Sequence, residues 1–203
     1  MEDVQHVELD ALYPMKIRRL GDAIDAVTRP KLMTLSALDV GCGEGMLVAR
    51  LRELGWNAHG VDGSTKAVDL RVCEWVKHGD VRVPWVALRW PLVVCTEVAE
   101  HVPAEYADTL VRNIARSAGE LIVWSAAPPG QPWPGHVNMQ PPGYWLDRFK
   151  AFAWEPSEGL SEWLRREMRS RDAQHAGAAE SFHVLAPEQV ICVPLEFGRV
   201  CPQ

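Results

Sequence analysis

Residues 37–55 read ALDVGCGEGMLVARLRELG, and no other stretch limits the fold as strongly. A short apolar run meets Gly41, Gly43 and Gly45, and an amphipathic segment begins at once. A buried strand that turns straight into a helix through so bare a backbone suits the C-terminal edge of a parallel sheet, where open α/β folds hold their ligands. Glycine serves there because the chain passes through positive φ and because a ligand comes close to the main chain. The helix that follows offers free N–H groups and the positive end of its dipole.

The flanking sequence keeps the same rhythm. Ile17, Leu20, Ile24 and Val27 have helical spacing ahead of the turn. Behind it the pattern predicts strands over 57–62, 80–83, 91–96 and 120–126, with helices over 44–54, 64–78 and 104–118. Ser64 stands where a helix N-cap belongs, and PLVVCT (91–96) is the continuous apolar run of a strand covered on both faces. Such alternation predicts a doubly wound α/β sheet. Residues 127–143 break it with six prolines and three glycines, so they form a long loop of the kind that is usually functional. Helices at about 144–151 and 157–170, a weak strand near 151–155 and a last apolar strand, QVICVPLEF, follow.

Composition narrows the class of function. A chain of 203 residues, 47% hydrophobic and 24% charged, can bury a core without disulfides. Its net charge of −6 argues against a protein that coats nucleic acid non-specifically. The five cysteines are odd in number and never spaced C-x-x-C, which fits neither a zinc ribbon nor a disulfide framework and suits a reducing, cytoplasmic setting. The polar start MEDVQHVELD has no signal-peptide character, and no apolar run reaches the ~20 residues of a membrane span, so no membrane partner is expected.

The ligand follows from spacing and acids. A dinucleotide site wants G-x-G-x-x-G, whereas here the glycines fall as G-x-G-x-G behind Asp39, whose charge would repel a pyrophosphate but can serve an ammonium group. Asp62 ends the next strand about twenty residues later, placed to accept from two ribose hydroxyls. LDVGCGEG resembles motif I of the class I S-adenosylmethionine-dependent methyltransferases, GVDGS resembles their acidic motif II, and HGDV their adenine-contacting turn. The motifs fall in order between Ala37 and Trp124. The likeness implies a Rossmann-like, doubly wound, mostly parallel seven-stranded sheet with helices on both faces. It implies S-adenosylmethionine as cofactor, with Asp39, Gly41, Gly43 and Gly45 along the methionine, Asp62 on the ribose, and Gly79, Asp80 and Val81 beside the adenine, and Cys42, Gly63 and Glu97 also among the cofactor-binding residues. Cys42 lies within the cofactor loop as a packing residue.

The fourth strand speaks to the acceptor. VVCTEVAEHVP carries Thr96-Glu97-Val98-Ala99 where enzymes methylating base amino groups often have Asn/Asp-Pro-Pro-Tyr/Phe, which argues against that substrate. Glu97, Glu100 and His101 stand at i, i+3 and i+4, so one helical turn would gather them. E-x-x-E-H here is similar to the small-RNA 3′-terminal 2′-O-methyltransferases and the ubiquinone-pathway O-methyltransferases, in which these residues hold a divalent cation. That likeness implies Mg²⁺ or Mn²⁺ on Glu97, Glu100, His101 and His136, the last from the proline-rich loop that also carries Asn138. The alternative is that the Glu and His cap a helix or touch the cofactor, as in relatives of this pattern with no metal. Residues 97–145 also look like small stand-alone methyltransferases of bacteriophage and bacterial genomes.

The expected molecule is one methyltransferase domain. It has a helical extension (1–35), a cofactor-binding half (37–126), the loop (127–143), and acceptor-side helices and last strands (144–203). Methyl transfer would go to an acceptor oxygen or nitrogen, with O-methylation of a small molecule or an RNA hydroxyl favoured and Glu97, His101 and His136 as catalytic candidates. The rival reading is a non-catalytic S-adenosylmethionine-binding protein, a sensor or partner subunit. The arginines 165, 166, 169 and 171 fit a solvated helix face, Trp133, Trp145, Trp154 and Trp163 fit core and lid packing, and the oligomeric state is left open.

Overall fold

The computed structural model describes residues 3–86, 88–131, 133–173 and 190–194. In chain order the elements are α1 (Asp3–Thr28), β1 (Ser36–Val40), α2 (Met46–Glu53), β2 (Asn57–Asp62), α3 (Thr65–Asp69) and β3 (Val76–His78). They continue with β4 (Trp90–Thr96), α4 (Ala107–Ser117), β5 (Ala118–Ser125), α5 (Pro142–Lys150), β6 (Trp154–Pro156), α6 (Glu158–Ala173) and β7 (Val190–Pro194). The strands form one seven-stranded sheet ordered β3-β2-β1-β4-β5-β7-β6. The pairs from β3 through β5 are parallel, and β7 runs antiparallel to both β5 and β6. This is the mostly parallel α/β sheet that the alternation predicts.

Period-two alternation splits each central strand between two cores. Leu38, Val40, Val93, Cys95, Ile122 and Trp124 meet Leu110 and Ile114 of α4 and Trp145 and Phe149 of α5. Ala37, Ala58, Leu92, Val94, Leu121 and Val123 meet Leu20 and Ile24 of α1, Leu47 and Leu51 of α2, and Leu164 and Met168 of α6. Helices therefore cover both faces. Gly21 lets α1 lie close on α2, since a Cβ there would come within 2.7 Å of Arg50 Cγ.

Two expectations are corrected between residues 64 and 83. Ser64 does cap a helix, its Oγ accepting from the Ala67 N–H at 3.2 Å, but α3 ends at Asp69 instead of running to 78. The later backbone groups go elsewhere: the Val72 N–H donates to Glu44 O, and Trp75 O accepts from the Gly60 N–H. Val76–His78 then pairs with Gly60–Asp62, so the edge strand lies inside the expected helix. Residues 80–83, expected as a strand, form turns in which Asp80 Oδ1 accepts from the Arg82 N–H at 2.9 Å. α1 begins well ahead of the spaced residues Ile17 to Val27 and runs through Pro14. Most of the tail from Pro187, apart from β7, lies outside the described residues. Among the described residues no helix is long and apolar enough to cross a membrane.

Candidate functional site

β1 ends at the glycine turn, and the turn is tied to its neighbour: Val61 O accepts from the N–H groups of Gly41 (2.8 Å) and Cys42 (3.1 Å). Gly41 has φ 75°, and a Cβ on it would lie 2.3 Å from Val98 Cγ2, so Val98, shortly after β4, packs on bare backbone. Gly43 has φ 55°, and a Cβ there would meet nothing within 4 Å. The turn leaves open space where a side chain would stand. Cys42 packs its sulfur against Gly60, and burial pushes its thiol pKa up, which disfavours the nucleophilic thiolate.

Three acids surround this turn. Asp39 is 4% exposed, and burial, with Asp62 adding to it, raises its pKa to about 7. Asp62 is fixed by backbone donors: Gly43 N–H gives to Oδ2 at 2.8 Å and Ser64 N–H to Oδ1 at 2.7 Å. Each oxygen keeps a lone pair for a ligand hydroxyl. Asp80 is gripped by the Arg82 guanidinium at 2.8–3.1 Å, which holds its pKa below the usual carboxylate range.

Two cavities meet at the turn and share Gly41 and Glu97. One, of about 510 Å³, runs past Asp62, Gly63, Asp80 and Val81 to His101. The other, of about 600 Å³, runs past Asp39, Gly43 and Glu44 to Thr96, roofed by Pro14, Ile17 and Leu20 of α1. Every residue assigned to the cofactor from sequence lines one of these cavities, except Gly79, whose N–H donates to Asp62 O, and Gly45, which precedes α2 with φ 84°. Neither the α1 roof nor Glu44 is assigned from sequence; Glu44 lies within LDVGCGEG, whereas no motif marks the roof.

Beyond β4 the chain does make the expected turn, a 3-10 helix at Ala99–His101. It gathers only part of the expected set. The ligand atoms of Glu100, His101 and His136 lie within 4.8 Å of one another. The proline-rich loop is brought there by two bonds, from the N–H groups of Val137 (2.8 Å) and Asn138 (3.0 Å) to Glu100 O. The His101 and His136 rings meet edge to face at 4.8 Å. His101 Nδ1 is 3.1 Å from Gly135 O and His136 Nδ1 is 3.0 Å from Gln131 O. A carbonyl accepts only, so both Nδ1 atoms carry the hydrogen, and in the neutral ring the lone pair is then on Nε2. That is the arrangement of metal-binding histidines.

Glu97 is not one of these three residues but borders them, in contact with Glu100 and near His136. It has φ 57°, and its Oε1 accepts from Ser125 Oγ at 2.6 Å. Burial raises its pKa, the Ser125 bond opposes the rise, and the nearby Glu100 adds to it. Ser125 ends β5 and pairs with Thr96 across the sheet, a register that no local pattern reveals. Trp133 is 63% exposed on the loop, whereas Trp145 and Trp154 are core. Arg165 and Arg169 pair with Glu162, as a solvated helix face would.

A family described as "Methyltransferase domain" matches residues 12–166. The ubiquinone biosynthesis O-methyltransferase of Cupriavidus pinatubonensis is 34% identical over 129 residues, covering 57% of this chain and 50% of that protein. The protein of the same name from Burkholderia orbicola is 35% identical over 109 residues, 49% of this chain and 46% of its own. The chain thus spans about half the length of the curated relatives it matches. Magnesium protoporphyrin IX methyltransferase of Synechocystis PCC 6803, solved with SAH, has a similar structure, with TM-score 0.61 and 19% identity over 78% of this chain and 80% of that one. A SAM-dependent methyltransferase from Archaeoglobus fulgidus gives TM-score 0.54 and 15% identity over 86% and 93%.

Proposed function

Because the chain belongs to the methyltransferase-domain family, we propose that it moves a methyl group from S-adenosylmethionine to an acceptor oxygen, most simply a hydroxyl of a small molecule. The observation that carries this reading is the pair of cavities joined at Gly41 and Glu97, with room left at Gly43 for a ligand against the main chain. The donor set fits the cofactor. Asp62 takes the ribose hydroxyls on lone pairs that its two backbone bonds leave free. Asp80, held by Arg82, and Val81 edge the purine. Asp39 faces the methionine end, where an ammonium would favour its ionised form. The cofactor supplies a methyl on a positively charged sulfur; the protein's task is to align it with the acceptor and exclude water.

For the acceptor, the apolar roof of Pro14, Ile17 and Leu20 and the net charge of −6 favour a small molecule over RNA. The name shared by the relatives supports O-methylation. Glu100, His101 and His136 would hold a divalent cation through one carboxylate and two imidazole nitrogens. Two nitrogen ligands favour Mn²⁺ over the harder Mg²⁺. Such a cation would lower the pKa of an acceptor hydroxyl. Glu97, with its raised pKa and its tether to Ser125, takes the proton. Without a cation, the Nε2 atoms of His101 or His136 do so.

The test is methyl transfer from labelled S-adenosylmethionine into separate pools of small-molecule hydroxyl compounds and RNA, with EDTA and with Mn²⁺ restored. Label in the small-molecule pool, lost with EDTA and recovered with Mn²⁺, is expected. Label surviving EDTA removes the cation and keeps the transferase, and label in RNA alone changes the acceptor. Tight cofactor binding with no S-adenosylhomocysteine formed leaves the non-catalytic binder.

A further inference from the structure

The connection from β3 to β4 crosses the sheet without a helix among its described residues. It leaves the C-terminal end of the edge strand and re-enters at the start of β4, passing β2 and β1, the kind of parallel crossover that a helix usually fills. Beside this connection lies a cavity of about 360 Å³ lined by Trp75, Trp85, Trp90, His59, Lys77 and Leu88 among others. That is the size of a small-molecule site. Its rim is apolar and open to solvent, with Val86 97% and Leu88 72% exposed.

The walls specify a chemistry. Three indoles and the His59 ring, which lies 5.2 Å from the Trp90 ring, present flat apolar surfaces. Flat side chains of this kind pack best on a flat ligand. Among the described residues no carboxylate lines the cavity, whereas the Lys77 cation does. The Arg52 guanidinium sits 3.5 Å from the Trp75 ring centroid. Burial first, then Arg52 and Lys77, hold the His59 pKa below its ordinary value, so near neutral pH the ring is an uncharged wall beside two cations. We propose that this cavity is a second ligand site, which takes a planar aromatic anion between its indoles with the acid group at Lys77.

The site backs onto the candidate cofactor cavity. Trp85 donates its Nε1–H to Asp80 O at 2.8 Å and its main-chain N–H to Asn113 Oδ1 at 3.0 Å. A ligand against Trp85 therefore bears on the Asp80–Val81 wall of the 510 Å³ cavity. Binding in the 360 Å³ cavity stands without the methyltransferase reading; its coupling to the cofactor rests on that reading.

Titrating the full chain with 1-naphthoate and its neutral counterpart 1-naphthylmethanol, by calorimetry and tryptophan fluorescence, tests the site. Stoichiometric binding of naphthoate, about tenfold tighter than the alcohol, is expected. Lys77→Gln should erase the preference, and Leu88→Glu, a change at an exposed rim position, should weaken naphthoate about tenfold without altering the melting temperature. Saturating naphthoate should change the Kd of S-adenosylhomocysteine several-fold in the native protein and leave it unchanged in Trp85→Phe, which keeps a ring but loses the bond to Asp80. Equal affinity for both probes, no effect of Lys77→Gln and Leu88→Glu, or one-for-one displacement of S-adenosylhomocysteine would each overturn the proposal. So would a dimer that Leu88→Glu dissociates in a protein that binds no naphthoate. Failure of S-adenosylhomocysteine alone to bind would instead count against the proposed function, because the naphthoate titration is read separately.

Discussion

At the scale of single residues, Gly41 and Gly43 separate two uses of one glycine turn. Gly41→Ala would drive a Cβ to 2.3 Å from Val98 at a φ of 75°. The combined strain and overpacking should cost roughly 2–4 kcal/mol and lower Tm by roughly 5–15 °C. Gly43→Ala meets no neighbour within 4 Å, so its stability loss should be the smaller, while its methyl enters the ligand space and cuts affinity for S-adenosylhomocysteine. Thermal melts and calorimetry on both variants check this; equal Tm losses would refute the distinction. Asp39 gives a pH signature. Its folded pKa is about 7 against 3.8 unfolded, so between those values the native state keeps a proton that the unfolded chain has released. Stability should fall as pH rises from about 4 to 7, by on the order of 4 kcal/mol, and level off above. Asp39→Asn should remove its share of that slope in urea melts at pH 4.5 to 7.5, while Glu97, whose pKa is raised in the same way, keeps the rest; an unchanged slope would exclude Asp39 as a source. These residues were legible because motif and neighbours lie within a few positions. Ser125, which tethers Glu97 from 28 positions away, was not, since only the β4–β5 register brings it there.

At the scale of elements, α4 steadies the loop that edges one cavity. Asn113 is 3% exposed; its Nδ2 donates to Val81 O (3.1 Å) and Val83 O (2.9 Å), and its Oδ1 accepts from the Trp85 N–H. Asn113→Ala should cost roughly 2–4 kcal/mol by leaving those backbone groups without protein partners. It should also weaken S-adenosylhomocysteine several-fold, because Val81 loses its anchor. Asn113→Asp sharpens the test, since a carboxylate still accepts from Trp85 but cannot donate to the two carbonyls. If both variants lose stability yet bind the ligand normally, α4 does not set the shape of that wall. The apolar stripe of α4 gave the helix away in sequence, while Asn113 looked like an ordinary polar residue. Segment 64–78 failed for a related reason. Its helical pattern is real at Ser64–Asp69, but pairing of Val76–His78 with β2 outweighs local preference, and that partner lies beyond any local window.

At the scale of the whole molecule, the strand order decides where a ligand can act. The parallel strands β3, β2, β1 and β4 point their C-terminal ends to one edge, and the turns after them hold Gly41, Asp62, Asp80 and Glu97. The antiparallel arm of β7 and β6 lies at the far side of β5, and no described cavity at the turn includes a residue from it. Sequence alternation foretold the parallel half, whereas the β5-β7-β6 order rests on pairing between strands far apart in the chain. Hydrogen exchange with saturating S-adenosylhomocysteine reads this asymmetry directly. At 100 times Kd, amides that exchange only through global unfolding should slow by a common amount, about 2.7 kcal/mol, in every strand. Protection within seconds to minutes reports local contact instead, and it should rise at 41–45, 62–64, 79–83 and 97–103 while 158–170 stays unchanged. Early protection centred on α6 would move the ligand to the arginine-bearing helix. Protection of 75–90 without 41–45 would move it to the cavity behind Trp85, and in either case the two cavities joined at Gly41 would lose their claim to the cofactor.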